Sequence, residues 1–69
     1  MKITKNIKPL AAGTVVVLPG GELLRIVEYI DAFSGVYKVQ FLDVDGDDYV
    51  PVGDERVIPA SDLVGGECE

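Results

Sequence analysis

Histidine and tryptophan are absent from this 69-residue chain, and cysteine occurs once. Without histidine there is no side chain whose ordinary titration lies near neutral pH, and so no imidazole base to activate a nucleophile. The single thiol, Cys68, has no second cysteine in the chain to form a disulfide with and sits between two acids, Glu67 and Glu69, so no chemistry is expected of it. Serine is limited to Ser34 and Ser61, and Gly20-Gly21 has no phosphate-binding lysine beside it. The expectation is a non-enzymatic protein with no cofactor. Nor does any apolar run approach the ~20 residues that span a bilayer, so no membrane partner is expected. Lys2, Lys5 and Lys8 precede the apolar stretch Leu10 to Leu18, but Pro19-Gly20-Gly21 follows in place of a small-residue cleavage pattern. Export is therefore disfavoured, and the single cysteine, Cys68, points to the reducing cytoplasm.

Positive charge is scarce as well: six basic residues stand against twelve acidic ones, for a net charge of −6. The imbalance is also uneven. Residues 1–12 hold Lys2, Lys5 and Lys8 and no acid, whereas Arg25, Lys38 and Arg56 are the remaining bases beside every acid in the chain. Such a body repels phosphate backbones, which argues against nucleic acid as the partner.

What the chain has is branched and aliphatic residues in short runs, within a composition that is 48% hydrophobic. One domain of this length buries a thin core, with a stability margin of about 3–5 kcal/mol. Association through an edge strand into a homo-oligomer would relieve that shortage. Thr14-Val15-Val16-Val17-Leu18 predicts a strand closed by Pro19-Gly20-Gly21. Val36 to Leu42 alternates, with Tyr37, Val39 and Phe41 on one face and Lys38 and Gln40 on the other, the pattern of a half-buried strand. Glu22 to Phe33 fits two periods. As a helix it would carry the stripe Leu23, Ile26, Val27, Ile30 and stop at Gly35. As a strand it is rich in β-branched residues and joins the next strand through a turn over Asp31 to Gly35, which is the favoured reading. The C-terminal third predicts an acidic turn over Asp43 to Asp48, a short strand Tyr49-Val50-Pro51-Val52 at an edge or bulge, a turn at Gly53-Asp54 and a last strand Arg56-Val57-Ile58. Pro59 to Leu63 reads as one tight helical turn that returns Leu63 to the core. The organisation expected is a Lys-bearing arm or short strand over 1–12, an all-β body over 13–64 and a flexible acidic tail over 65–69. The alternative is an α+β fold with a helix at 22–33.

The closing segment Val57-Ile58-Pro59-Ala60-Ser61-Asp62-Leu63-Val64, after several closely spaced strands, resembles the small barrels of the Src-homology-3, KOW and Tudor group. That resemblance implies a five-stranded barrel whose last strands are linked by a single 3-10 turn near Pro59–Leu63. Phe41-Leu42-Asp43 followed by Gly46 is similar to the stretch that ends a central strand in Tudor domains, although Val44 stands where that family places tyrosine. By this resemblance Tyr29, Phe33, Tyr37 and Tyr49 would be candidates for an aromatic cage that reads methylated Lys or Arg through cation–π contacts. Core packing is the competing reading for each, and Phe33, beside Ser34 and Gly35, is the one placed in a loop.

The acids of the last third admit two more readings. Asp43, Asp45 and Asp47 occupy the first, third and fifth positions of an EF-hand-like calcium loop, with Tyr49 offering a carbonyl, Val50 at the apolar eighth position and Asp54 at the twelfth. Asp48 stands where such a loop needs glycine, and Pro59 stops an exiting helix, so a solvated acidic hairpin is the favoured reading. The function expected from all this is an interaction module or small accessory subunit that binds a protein partner. The alternative is a nucleic-acid mimic of the phage anti-defence type, in which Asp43, Asp45, Asp47, Asp48, Asp54 and Glu55 match phosphate charge and occupy a partner's groove.

Overall fold

A computed structural model describes residues 2–4, 9–31 and 35–68. Six strands form one antiparallel sheet: β1 (Val15–Val17), β2 (Leu23–Asp31), β3 (Val36–Asp45), β4 (Asp48–Pro51), β5 (Arg56–Pro59) and β6 (Glu67–Cys68), with a 3-10 turn over Ala60–Leu63. The neighbours run β4-β3-β2-β1-β6, and β5 also pairs with β3. Among the described residues this ladder is an open path and not a closed ring. The all-β class and the 3-10 turn agree with the sequence reading.

The segment with two competing periods is a strand, and its bulges explain the ambiguity. Leu24 and Ile26 point into the core opposite Phe41 and Val39. The register then shifts between Ile26 and Glu28, and again between Tyr29 and Asp31, so Val27 and Ile30 are extra residues with no counterpart on β3. Past the first bulge the inward position passes to Tyr29, which packs on the core. Inward residues at 24, 26 and 29, with apolar extras between them, imitate a helical stripe.

Five strands were expected and six are present because the outer edge is broken in two. β4 and β5 both pair with the same side of β3, but between Leu42↔Pro51 and Val39↔Arg56 two residues of β3, Gln40 and Phe41, face four, Val52–Glu55. The Val52 N–H still donates to the Phe41 carbonyl at 2.8 Å, and Gly53, at φ 73°, turns the excess outward. Pro51 and Pro59 each end a piece of this edge. A break and two prolines blunt an edge against strand addition, so this side is poorly suited to edge-to-edge self-association.

The core is one cluster of Ile3, Val16, Leu24, Ile26, Tyr37, Val39 and Leu63. Tyr37 is buried with its ring stacked on Tyr29 (centroids 4.8 Å apart), and its hydroxyl accepts a hydrogen bond from the Leu10 N–H at 3.0 Å. Leu63 is fully buried, as the sequence implied.

The two ends correct the expected boundaries. A flexible tail over 65–69 was expected, yet Glu67 and Cys68 pair with Val17 and Val16 as β6. The Ile3 N–H donates to the Gly66 carbonyl and the Gly65 N–H to the Ile3 carbonyl, both at 2.8 Å, and Lys2 bridges Glu67. Gly65-Gly66 reads as a loose linker in sequence but acts as a close-packing device. A Cβ at Gly66 would lie 3.0 Å from both the Leu63 carbonyl oxygen and Val16 Cγ1, so glycine alone lets the chain pass there. Lys2, Ile3 and Gly65 to Cys68 are therefore bonded to the folded body outside 13–64.

Candidate interaction surface

Side chains directly opposite one another in an antiparallel pair share a face, so the register sorts the functional candidates. Val16, Leu24 and Phe41 form one row, on the core face; Val17, Leu23, Leu42 and Pro51 form the next, on the reverse face. Leu42 is buried yet does not belong to the core cluster, which marks a second, smaller apolar patch on the reverse side of the sheet. Val44 and its partner Tyr49 continue that patch along the β3–β4 hairpin. Asp43, Asp45, Asp48 and Val50 take the opposite face. The hairpin is thus a two-sided wing, apolar on one face and acidic on the other. β4 contributes nothing to the core cluster.

The wing tip is a two-residue turn, Gly46-Asp47, between the paired Asp45 and Asp48. Gly46 has φ 63°, and no other residue type among the described residues has positive φ. Positive φ at the first central position alone is the signature of a type II′ hairpin turn, which glycine supplies without steric cost. The residues spaced for a cation loop are thereby distributed differently. Asp43 and Asp45 lie in extended strand, Asp47 is at the tip, and Asp54 falls in the edge break beyond β4. The Asp43 carboxylate accepts a hydrogen bond at 2.9 Å from the Val44 N–H. Among the described residues no group of three or more acids or thiols is arranged to hold a metal ion. The segment folds as a hairpin whose acids are exposed.

The aromatic candidates are dispersed as well. Tyr29 and Tyr37 stack on each other in the core, so Tyr37 cannot wall an open cage. Tyr49 is half-buried on the wing, and Phe33 lies outside the described residues. Among the described residues a cation–π contact is internal, with the Arg56 guanidinium 5.5 Å from the Phe41 ring centroid. Glu55, in the edge break, lies 3.9 Å from Lys38 Nζ, an exposed pairing that contributes at most about 1 kcal/mol.

Sequence reasoning found the acids but missed their apolar companions. An open groove of about 380 Å³ lies between the β1–β2 turn and the wing, lined by Leu23, Phe41, Leu42, Val44 and Val52 with Gly21, Glu22 and Asp43. Val44 and Val52 are 55% and 53% exposed. A signal for this was present in Phe41-Leu42: two large apolar residues in succession within an alternating strand must face opposite sides, so one needs a second patch. Among the described residues no helix is long and apolar enough to cross a membrane. The chain matches no family model, no curated protein and no solved structure.

Proposed function

We propose that this chain is a non-enzymatic protein-binding module, or a small accessory subunit, that engages its partner through the β3–β4 wing and the groove beside it. The observation that carries this reading is the exposure of Val44 and Val52, two valines that border the groove and lie outside the core cluster. Exposed apolar side chains that border one groove fit a recognition surface better than scattered surface valines would. The order of elements supports kinship with the Src-homology-3-like small barrels, since the chain returns through a 3-10 turn to lay its last strand beside its first. A cytoplasmic setting completes the proposal and rests on the lone Cys68.

A second reading, charge mimicry of nucleic acid, draws on the common face of Asp43, Asp45 and Asp48 and on the net charge of −6. One experiment separates the two. Immobilised wild-type protein and the variants Val44→Lys and Asp45→Lys with Asp47→Lys are exposed to host lysate over a range of salt. The module reading expects Val44→Lys to lose the captured protein, with capture by the wild type persisting at high salt. Mimicry expects the double charge reversal to abolish capture, and expects wild-type binding to fall steeply as salt screens it.

A further inference from the structure

The side of the wing turned away from Val44 brings valines and aspartates together on one face. Val50 pairs with Asp43 and Asp48 with Asp45, and the Val52 N–H donates to the Phe41 carbonyl, which sets Val52 opposite Phe41. Opposed residues of an antiparallel pair share a face. Three successive rows on the core side of the sheet are therefore Phe41 with Val52, Asp43 with Val50, and Asp45 with Asp48. Val50 and Val52 are 38% and 53% exposed, and all three aspartates are exposed. The base beside these rows is Arg56, opposite Val39, and its guanidinium already lies against the Phe41 ring at 5.5 Å. Glu22, which lines a groove together with Phe41, Asp43 and Val52, adds a fourth acid close by. Exposed apolar surface and negative charge thus share one face of one hairpin.

We infer that this core-side face of the wing binds a basic, extended segment of another protein. Successive rows on one face are two residues apart, about 7 Å, which is also the spacing of alternate side chains along an extended chain. A segment laid along the wing seats an aliphatic or aromatic side chain on Val52 and Val50 and sets Lys or Arg, two and four residues away, against Asp43, Asp45 and Asp48. The surface lies across the sheet from Val44, so the inference goes beyond the module reading and gives the hairpin two contact faces of different chemistry. A second copy of the chain is a poor occupant, because a two-fold contact through this face would set its three aspartates against their own counterparts. Lys2 of the same chain is no better, since it is bridged to Glu67 beyond β6, at the opposite edge of the sheet from β4.

The test is selection from a displayed library of random decapeptides on the folded wild-type chain, followed by titration of the most enriched synthetic peptide against variants. The inference expects enriched sequences to carry an aliphatic or aromatic residue with Lys or Arg two and four positions away. Val50→Ser combined with Val52→Ser should weaken binding about tenfold or more in low and high salt alike, a loss typical of truncated interface anchors. Asp45→Asn combined with Asp48→Asn should weaken it severalfold in low salt, and the difference should fade as salt screens the pairing. Val57→Arg is the control, because Val57 is 58% exposed and pairs with Lys38 on the reverse face; it should leave affinity within about twofold, as surface changes away from a contact do. Amide NMR spectra of each variant check that the hairpin is intact. Enrichment of acidic or uncharged peptides, no enrichment at all, unchanged binding by the Val50→Ser, Val52→Ser protein, or equal sensitivity to Val57→Arg would overturn the inference. The module reading is judged separately by Val44→Lys in lysate capture, so failure of this surface leaves that reading standing.

Discussion

β3 belongs to two different regions of the molecule, and its two halves show how a small chain can divide its work. From Val36 to Leu42 it is paired along one side with β2, and with β5 on the other from Val36 to Val39; it sends Tyr37 and Val39 into the core and is fixed there by the Tyr29 stack and the Leu10 hydrogen bond. From Asp43 to Asp45 it pairs with β4 alone beyond the end of β2, and its side chains are exposed. The first half is held by burial and the second by a hairpin ladder and a glycine turn. Apolar residues in the first half stabilise the fold, whereas Val44, in the second, stabilises little and remains available to a partner.

Substitutions can break or sharpen that contrast. The largest effect is expected in the core: Leu24→Ala should cost about 2–5 kcal/mol by leaving a cavity, which in a domain this small removes most of the folded population. Urea unfolding followed by circular dichroism measures it. Gly66→Ala comes next, at about 1–3 kcal/mol, because the new methyl group meets the Leu63 carbonyl and Val16. Its signature would be loss of the β6 pairing, read as faster amide exchange at Glu67 and Cys68. Tyr37→Phe should cost about 0.5–1.5 kcal/mol, the usual net worth of one hydrogen bond, and the urea midpoint should fall accordingly. Smallest of all, Val44→Lys should shift stability by no more than about 0.5 kcal/mol while removing partner capture. A large destabilisation there would erase the distinction between the two halves.

The legibility of these regions in sequence differed for physical reasons. Strands were readable wherever burial followed simple alternation, as at Tyr37 and Val39, and the 3-10 turn was readable from Pro59 and the returning Leu63. Glu22 to Phe33 was ambiguous because bulges at Val27 and Ile30 shift its phase, and a bulge is visible only once the partner strand is in place. The tail was misjudged because Gly65-Gly66 looks the same whether it loosens a chain or lets it pack against Val16. On the wing the acids were conspicuous at once. The groove was not, since it joins Leu23 of β2 and Val52 of the edge break to Leu42 and Val44 of β3, and only the register brings those positions together.

The division of β3 is tested most directly by residue-resolved amide hydrogen exchange on the free protein. Core amides at Tyr37 and Val39 should exchange only through global unfolding, and those of the wing at Asp45, Asp48 and Val50 at least about tenfold faster through local opening of the hairpin. Wing amides as slow as that of Val39 would contradict the account, because the hairpin would then be part of the cooperative core and not a separately presented surface.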